Sequence, residues 1–127
     1  MPQEKSEISE AELAVMKVLW ANGAPMATRE ICEALAHRQW KRTTISTLLA
    51  RLVEKGALRG ARQGNTTIYT PLLEERAYRR RQTKGLIQRL FNGSAKDFAA
   101  AMVEDEFLTE EDVEELKRLF DLQEGQR

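Results

Sequence analysis

One cysteine and one histidine stand among 127 residues, and those scarcities remove whole classes of chemistry. A lone Cys32 allows no intramolecular disulfide, and its setting in "REICEALA", beside apolar neighbours, predicts a buried structural thiol and not a nucleophile. His37 has no second histidine for a His-pair metal site. No glycine-rich phosphate loop and no nucleophile–base set is present, so neither catalysis nor a metal or cofactor is expected. No apolar run approaches the ~20 residues that span a bilayer, and "MPQEKSEISE" lacks the apolar core of a signal segment, which predicts a cytoplasmic protein with no membrane partner. Aromatic residues are few, and neither Trp20 nor Trp40 belongs to a series suited to stacking bases, so both are expected to pack at a core or domain edge.

Charge is abundant, and it is segregated. Net charge is zero, yet Arg38 to Arg62 holds seven basic residues against Glu54 alone, and Arg76 to Arg89 holds six with no acidic residue. From Asp97 onward eleven acidic residues face three basic ones. One half suits a polyanion that the other would repel.

Helical signals come first along the chain. Ser9 and Glu12 fit a capping box ahead of Leu13, Met16, Leu19 and Trp20 at helical spacing, and Asn22-Gly23 ends that segment. Thr28 is expected to cap a short helix with Ile31 and Leu35 on one side. A third helix, starting near Thr43 and stopping at Gly56, puts Ile45, Leu48, Leu49 and Leu52 on one face. Gly64-Asn65 then turns between two short extended runs, a two-stranded hairpin closed by Pro71. A long helix follows with Tyr78, Leu86, Leu90 and Phe91 on its apolar side. Ser94 and Thr109, the latter with Asp112, cap two more. The expected class is mostly α: a winged helix-turn-helix over residues 1–73 and a separate helical arm over 74–127.

That order assigns roles to the third helix. With its apolar face inward, Thr43, Thr44, Thr47 and Arg51 turn outward, and Lys41 and Arg42 stand at its N-terminal end. In a helix-turn-helix this end enters the major groove, where short hydroxyls approach base edges and a threonine methyl meets a thymine methyl. Arg51 suits either a guanine or a phosphate, and Thr43 either caps the helix or meets DNA. Arg59, Arg62 and the amides of Gly64 and Asn65 fall at the wing, where contacts position the protein more than they read sequence.

"SEAELAVMKVLW", "WKRTTISTLLARLVEKGAL" and "YTPL" together resemble the penicillinase-repressor family of the BlaI/MecI type, which also takes in copper-responsive repressors. The resemblance implies a homodimeric winged-helix repressor on a palindromic operator, with Thr44, Thr47 and Arg51 in the recognition helix and Arg59 to Thr67 in the wing. It also implies dimerisation through the C-terminal helices. The apolar residues there agree: Leu86, Leu90, Phe91, Phe98, Met102, Val113, Leu116, Leu119 and Phe120 exceed what isolated helices leave in water. The basic run from Arg76 to Arg89 suits either DNA or an acidic partner within a dimer. Antibiotic-responsive members are cut by an induced protease beside a phenylalanine that usually follows asparagine; the equivalent bond here is Asp97–Phe98, with the asparagine replaced. The paired C-terminal cysteines of copper-responsive members are missing. The expected function is thus sequence-specific repression from a pseudo-palindromic operator, and the alternative is a winged-helix module that binds protein.

Overall fold

The computed structural model describes residues 7–125; the two ends, including most of the stretch read above for a signal segment, lie outside it. The chain divides into two compact units, one through Arg79 and one from Arg80, where the sequence reading puts its boundary between residues 73 and 74.

In the first unit, α1 (Glu10–Asn22) begins as its sequence dictates. The Ser9 hydroxyl accepts the Glu12 N–H at 3.1 Å, and the Glu12 carboxylate accepts the Ser9 N–H at 2.9 Å. It ends at Gly23, whose φ of 74° is a conformation that costs glycine little. A two-residue strand, β1 (Met26–Ala27), leads into α2 (Thr28–Ala34). Thr28 is the first residue of α2 and not its cap: Ala27 holds that place, and its N–H donates to the Glu30 carboxylate at 2.8 Å. After a 3-10 turn (Ala36–Arg38) and Gln39 at φ 60°, α3 (Arg42–Glu54) starts one residue before Thr43. Its N-cap is Lys41, which makes no side-chain capping bond, so Thr43 is not a cap.

The buried centre of this unit is Val15, Met16 and Leu19 of α1, Ile31 of α2, Leu35 just beyond it, and Ile45, Leu48, Leu49 and Leu52 of α3. Residues three and four apart share a helix face, so each helix contributes one stripe. Cys32, a hundred degrees or so around α2 from Ile31, is half-buried at the margin of this core and not enclosed by it. Trp20 and Trp40 pack against it part-buried, as expected of edge residues.

The hairpin is β2 (Leu58–Gln63) and β3 (Thr66–Pro71), paired from Gln63↔Thr66 to Leu58↔Pro71. Gly64 carries φ +66° and Asn65 does not have positive φ, which puts glycine at the first turn position as a type II′ turn requires. The hairpin was expected to stand as two strands, but β1 adds a third, antiparallel to β3 through Met26↔Tyr69 and Ala27↔Ile68, in the order β1-β3-β2. Three helices with this small sheet form a winged helix-turn-helix.

The second unit contains most of α4 (Glu75–Phe91), then α5 (Ala95–Glu104) and α6 (Glu110–Gly125). The predicted caps form: the Ser94 hydroxyl accepts the Asp97 N–H at 3.0 Å, and Thr109 and Asp112 bond reciprocally at 3.0 Å. Not one described residue of these three helices is buried. No described helix is long and apolar enough to cross a membrane.

Candidate nucleic-acid interface

Four buried residues on one face of α3 fix what the opposite face presents. Thr43, Thr44, Thr47 and Arg51 are all exposed, with Thr43, Thr47 and Arg51 forming a row at intervals of four. The Thr47 hydroxyl donates to the Thr43 carbonyl at 3.0 Å. This bond directs the proton inward, leaving the methyl and the oxygen lone pairs for an incoming surface. Lys41 and Arg42 are exposed at the start of the helix, and no acidic residue occupies its first turn. Each of the other α-helices has at least one there. Cations beside the positive end of a helix dipole weaken an isolated helix, but the same cations and free amides favour an approaching phosphate.

Two contacts flank α3 in the chain. At its C-terminal end the Lys55 ammonium lies 2.6 Å from a Glu12 carboxylate oxygen and also reaches the Glu7 carbonyl. Burial raises the pKa of this carboxyl, but the Lys55 ammonium and the Ser9 N–H and hydroxyl outweigh that and hold it below its ordinary value. At the other end the Arg38 guanidinium sits 4.9 Å from the centroid of the Trp40 ring. The sequence reading counted Arg38 only as one charge in a run. The stacking holds it on Trp40, two residues before α3 begins, a relation that spacing alone does not signal.

On the wing, Arg59, Arg62 and Asn65 are exposed, while Thr67 is half-buried. Arg62 pairs in register with Thr67, and Arg59 with Thr70. A Cβ at Gly60 would lie 3.2 Å from the Tyr69 ring, so glycine there lets that ring lie across the strand. α3 and the β2–β3 hairpin belong to one unit, and both carry their positive charge on exposed side chains.

The arm residues divide. Phe91 and Phe98 meet edge to face at 5.5 Å between centroids. Leu86, Met102 and Val113 are half-buried. Leu90, Leu116, Leu119 and Phe120 are exposed, and so are Phe107 and Leu122, which the sequence reading did not single out. Tyr78, expected on the apolar side of α4 with these residues, instead lies 5.9 Å from the Trp20 ring, whose indole N–H donates to the Leu73 carbonyl at 2.9 Å. Asp97 is exposed in the first turn of α5. Among the described residues no group of three or more His, Cys, Asp and Glu side chains is placed to hold a metal ion.

The comparisons with known proteins agree with this fold. The penicillinase repressor of Bacillus licheniformis is 32% identical over 115 residues, 91% of this chain and 90% of that protein. The methicillin resistance regulatory protein MecI of Mammaliicoccus sciuri is 30% identical over 119 residues, 94% and 97% respectively. Among solved structures, the DNA binding domain of the repressor BlaI matches with a TM-score of 0.52 at 41% identity, covering 57% of this chain and 88% of that one. The model of the family described as penicillinase repressor matches residues 8–122. This chain belongs to the penicillinase repressor family.

Proposed function

We propose that the protein is a transcriptional repressor that binds a pseudo-palindromic operator as a homodimer, with α3 in the major groove. The observation that carries this reading is the exposed row Thr43, Thr47 and Arg51, with Thr44 beside it, behind a fully buried apolar face. Membership in a family named for repressors, and likeness to a domain described as DNA binding, support it. Lys41, Arg42, Arg59, Arg62 and Asn65 supply phosphate contacts, Thr44 and Thr47 meet base edges, and Thr67 braces the wing. The exposed Leu116, Leu119 and Phe120 are covered by a second copy. A two-fold axis then sets two recognition helices about 34–36 Å apart, one turn of DNA. Proteolysis at Asp97–Phe98 would relieve repression by removing most of α5 and all of α6, which carries Leu116, Leu119 and Phe120.

The test is a salt titration of binding to DNA from upstream of the protein's own gene, beside scrambled DNA. Preference for the upstream fragment with a steep salt dependence supports the reading. Equal, weak binding to both, followed by failure of a genome-wide DNA selection to enrich any sequence, leaves the winged helix as a protein-binding module.

A further inference from the structure

Between Glu33 and Glu54 the chain has no acidic residue, and within that span Arg38, Lys41 and Arg42 stand at the entrance to α3. Arg38 differs from the other two in how it is held. Its backbone N–H donates to the carbonyl of the buried Leu35 at 2.9 Å, and the N–H of Gln39 donates to the Ala36 carbonyl at 3.0 Å. Trp40 follows, half-buried, with its ring packed on the margin of the core. The Arg38 guanidinium lies over that ring, 4.9 Å from the centroid. Backbone and side-chain tip are therefore both tied to the packed body of the winged helix, one through Leu35 and the other through Trp40.

The stack occupies only one face of the guanidinium. Its N–H donors lie in the plane of the group, around the edge, and an aromatic face below leaves them unspent. Arg38 is exposed, and among the described residues it has no ion-pair partner. A fork of donors whose rotamers are already restricted costs less to fix on an acceptor than a surface arginine that is free to move. The acceptor that matches a fork is a group with two oxygens, a carboxylate or a phosphate. Lys41 and Arg42 add to the attraction for such an anion, and a phosphodiester is the anion at hand when α3 lies in a DNA groove.

We infer, on the DNA-binding reading above, that Arg38 is a further DNA-contacting residue: held on Trp40, it binds a backbone phosphate at the edge of the groove that α3 enters. Such a contact fixes where the helix enters and reads no base. Trp40 is then a positioning residue, which acts through Arg38 without touching DNA. The rival role for the stack is to stiffen the turn before α3, in which case Arg38 matters to stability and not to DNA.

The experiment uses the full-length chain and fluorescence anisotropy across a salt series, with DNA from upstream of the protein's own gene and scrambled DNA, and urea denaturation of each variant. Arg38→Gln is expected to bind both DNAs about tenfold more weakly, to lower the slope of log affinity against log salt by about 0.9, and to keep the wild-type urea midpoint. Arg38→Lys keeps the slope, because the charge remains, but does not recover full affinity, because the fork is lost. Trp40→Leu weakens binding in the wild type and adds nothing in Arg38→Gln; Trp40→Phe, which keeps a ring, replaces it if the leucine variant does not fold. Unchanged affinity and slope in Arg38→Gln, with a lowered urea midpoint or without one, overturns the inference and leaves the DNA-binding reading standing. A loss confined to the preferred fragment makes Arg38 a reader of bases and overturns the phosphate contact. Independent, additive losses from Arg38→Gln and Trp40→Leu overturn the positioning role of Trp40. A wild-type chain that enriches no sequence in a genome-wide selection overturns the DNA-binding reading itself.

Discussion

The carboxylate of Glu12, 1% exposed, bonds at once to the Ser9 N–H that begins α1 and to the Lys55 ammonium that ends α3, 43 residues away. One side chain therefore starts one helix and anchors another. Removing Lys55's charge leaves Glu12 buried and unpaired, so Lys55→Met is expected to lower stability by about 3 kcal/mol, measured by urea denaturation at neutral pH. A loss under about 0.5 kcal/mol, within the usual range of surface changes, would show that the pair is not needed.

The same pair sets a pH dependence. The Glu12 carboxyl titrates lower in the folded chain than its ordinary value, so its contribution is complete above that value and is lost as pH falls through the folded one. The acid limb of the stability curve should be shallower in Glu12→Gln than in the wild type, and neutral stability lower. Parallel acid limbs would contradict the assignment.

Thr47 and its neighbours predict unequal substitutions. Because the Thr47 hydroxyl proton already serves the Thr43 carbonyl, Thr47→Val keeps the exposed methyl and should change operator affinity by less than about threefold. Thr47→Asp places a negative charge toward the phosphates and should abolish binding while leaving the dimer intact. Fluorescence anisotropy with operator DNA reads both.

On the wing, Arg62 is exposed at the end of β2 nearest the turn. Arg62→Gln should weaken binding to specific and scrambled DNA alike and reduce the slope of log affinity against log salt by about 0.9. A change in which sequence is preferred, with an unaltered slope, would identify Arg62 as a reader of bases instead.

Trp20 joins the end of the sheet to the start of α4 through the Leu73 carbonyl. Trp20→Phe keeps much of the aromatic packing but leaves that carbonyl without its donor, and should cost roughly 1–2 kcal/mol. Thermal denaturation of the isolated change, compared with Trp40→Phe, measures it.

Local features were the legible ones. Ser9 with Glu12 announced α1, the spacing of Ile45, Leu48, Leu49 and Leu52 gave the buried face of α3, and Gly64 marked the turn. Each of these depends on residues within one or two turns of each other. What escaped depended on distance or on backbone alone. Met26 and Ala27 are too short a run to show a strand period, and they pair only because β3 offers a free edge. Thr28 and Thr43 look like caps by residue type, but the chain enters each helix one or two residues earlier. Glu12 and Lys55, or Trp20 and Tyr78, meet only after the helices have packed. The threonine row was legible because burial of one helix face dictates the other; its partner was not, since a helix surface records only shape and charge.

The third strand has a mechanical consequence. β1 immediately precedes α2, and β3 lies between β1 and the β2 strand that carries Arg59 and Arg62. The wing is therefore stitched to the segment leading into the helix-turn-helix and does not hang from its own turn. On the reading proposed above, the wing tip and the exposed row Thr43, Thr47 and Arg51 then act as two jaws of one caliper, so a site that shifts the wing's contact relative to the groove should be gripped less well.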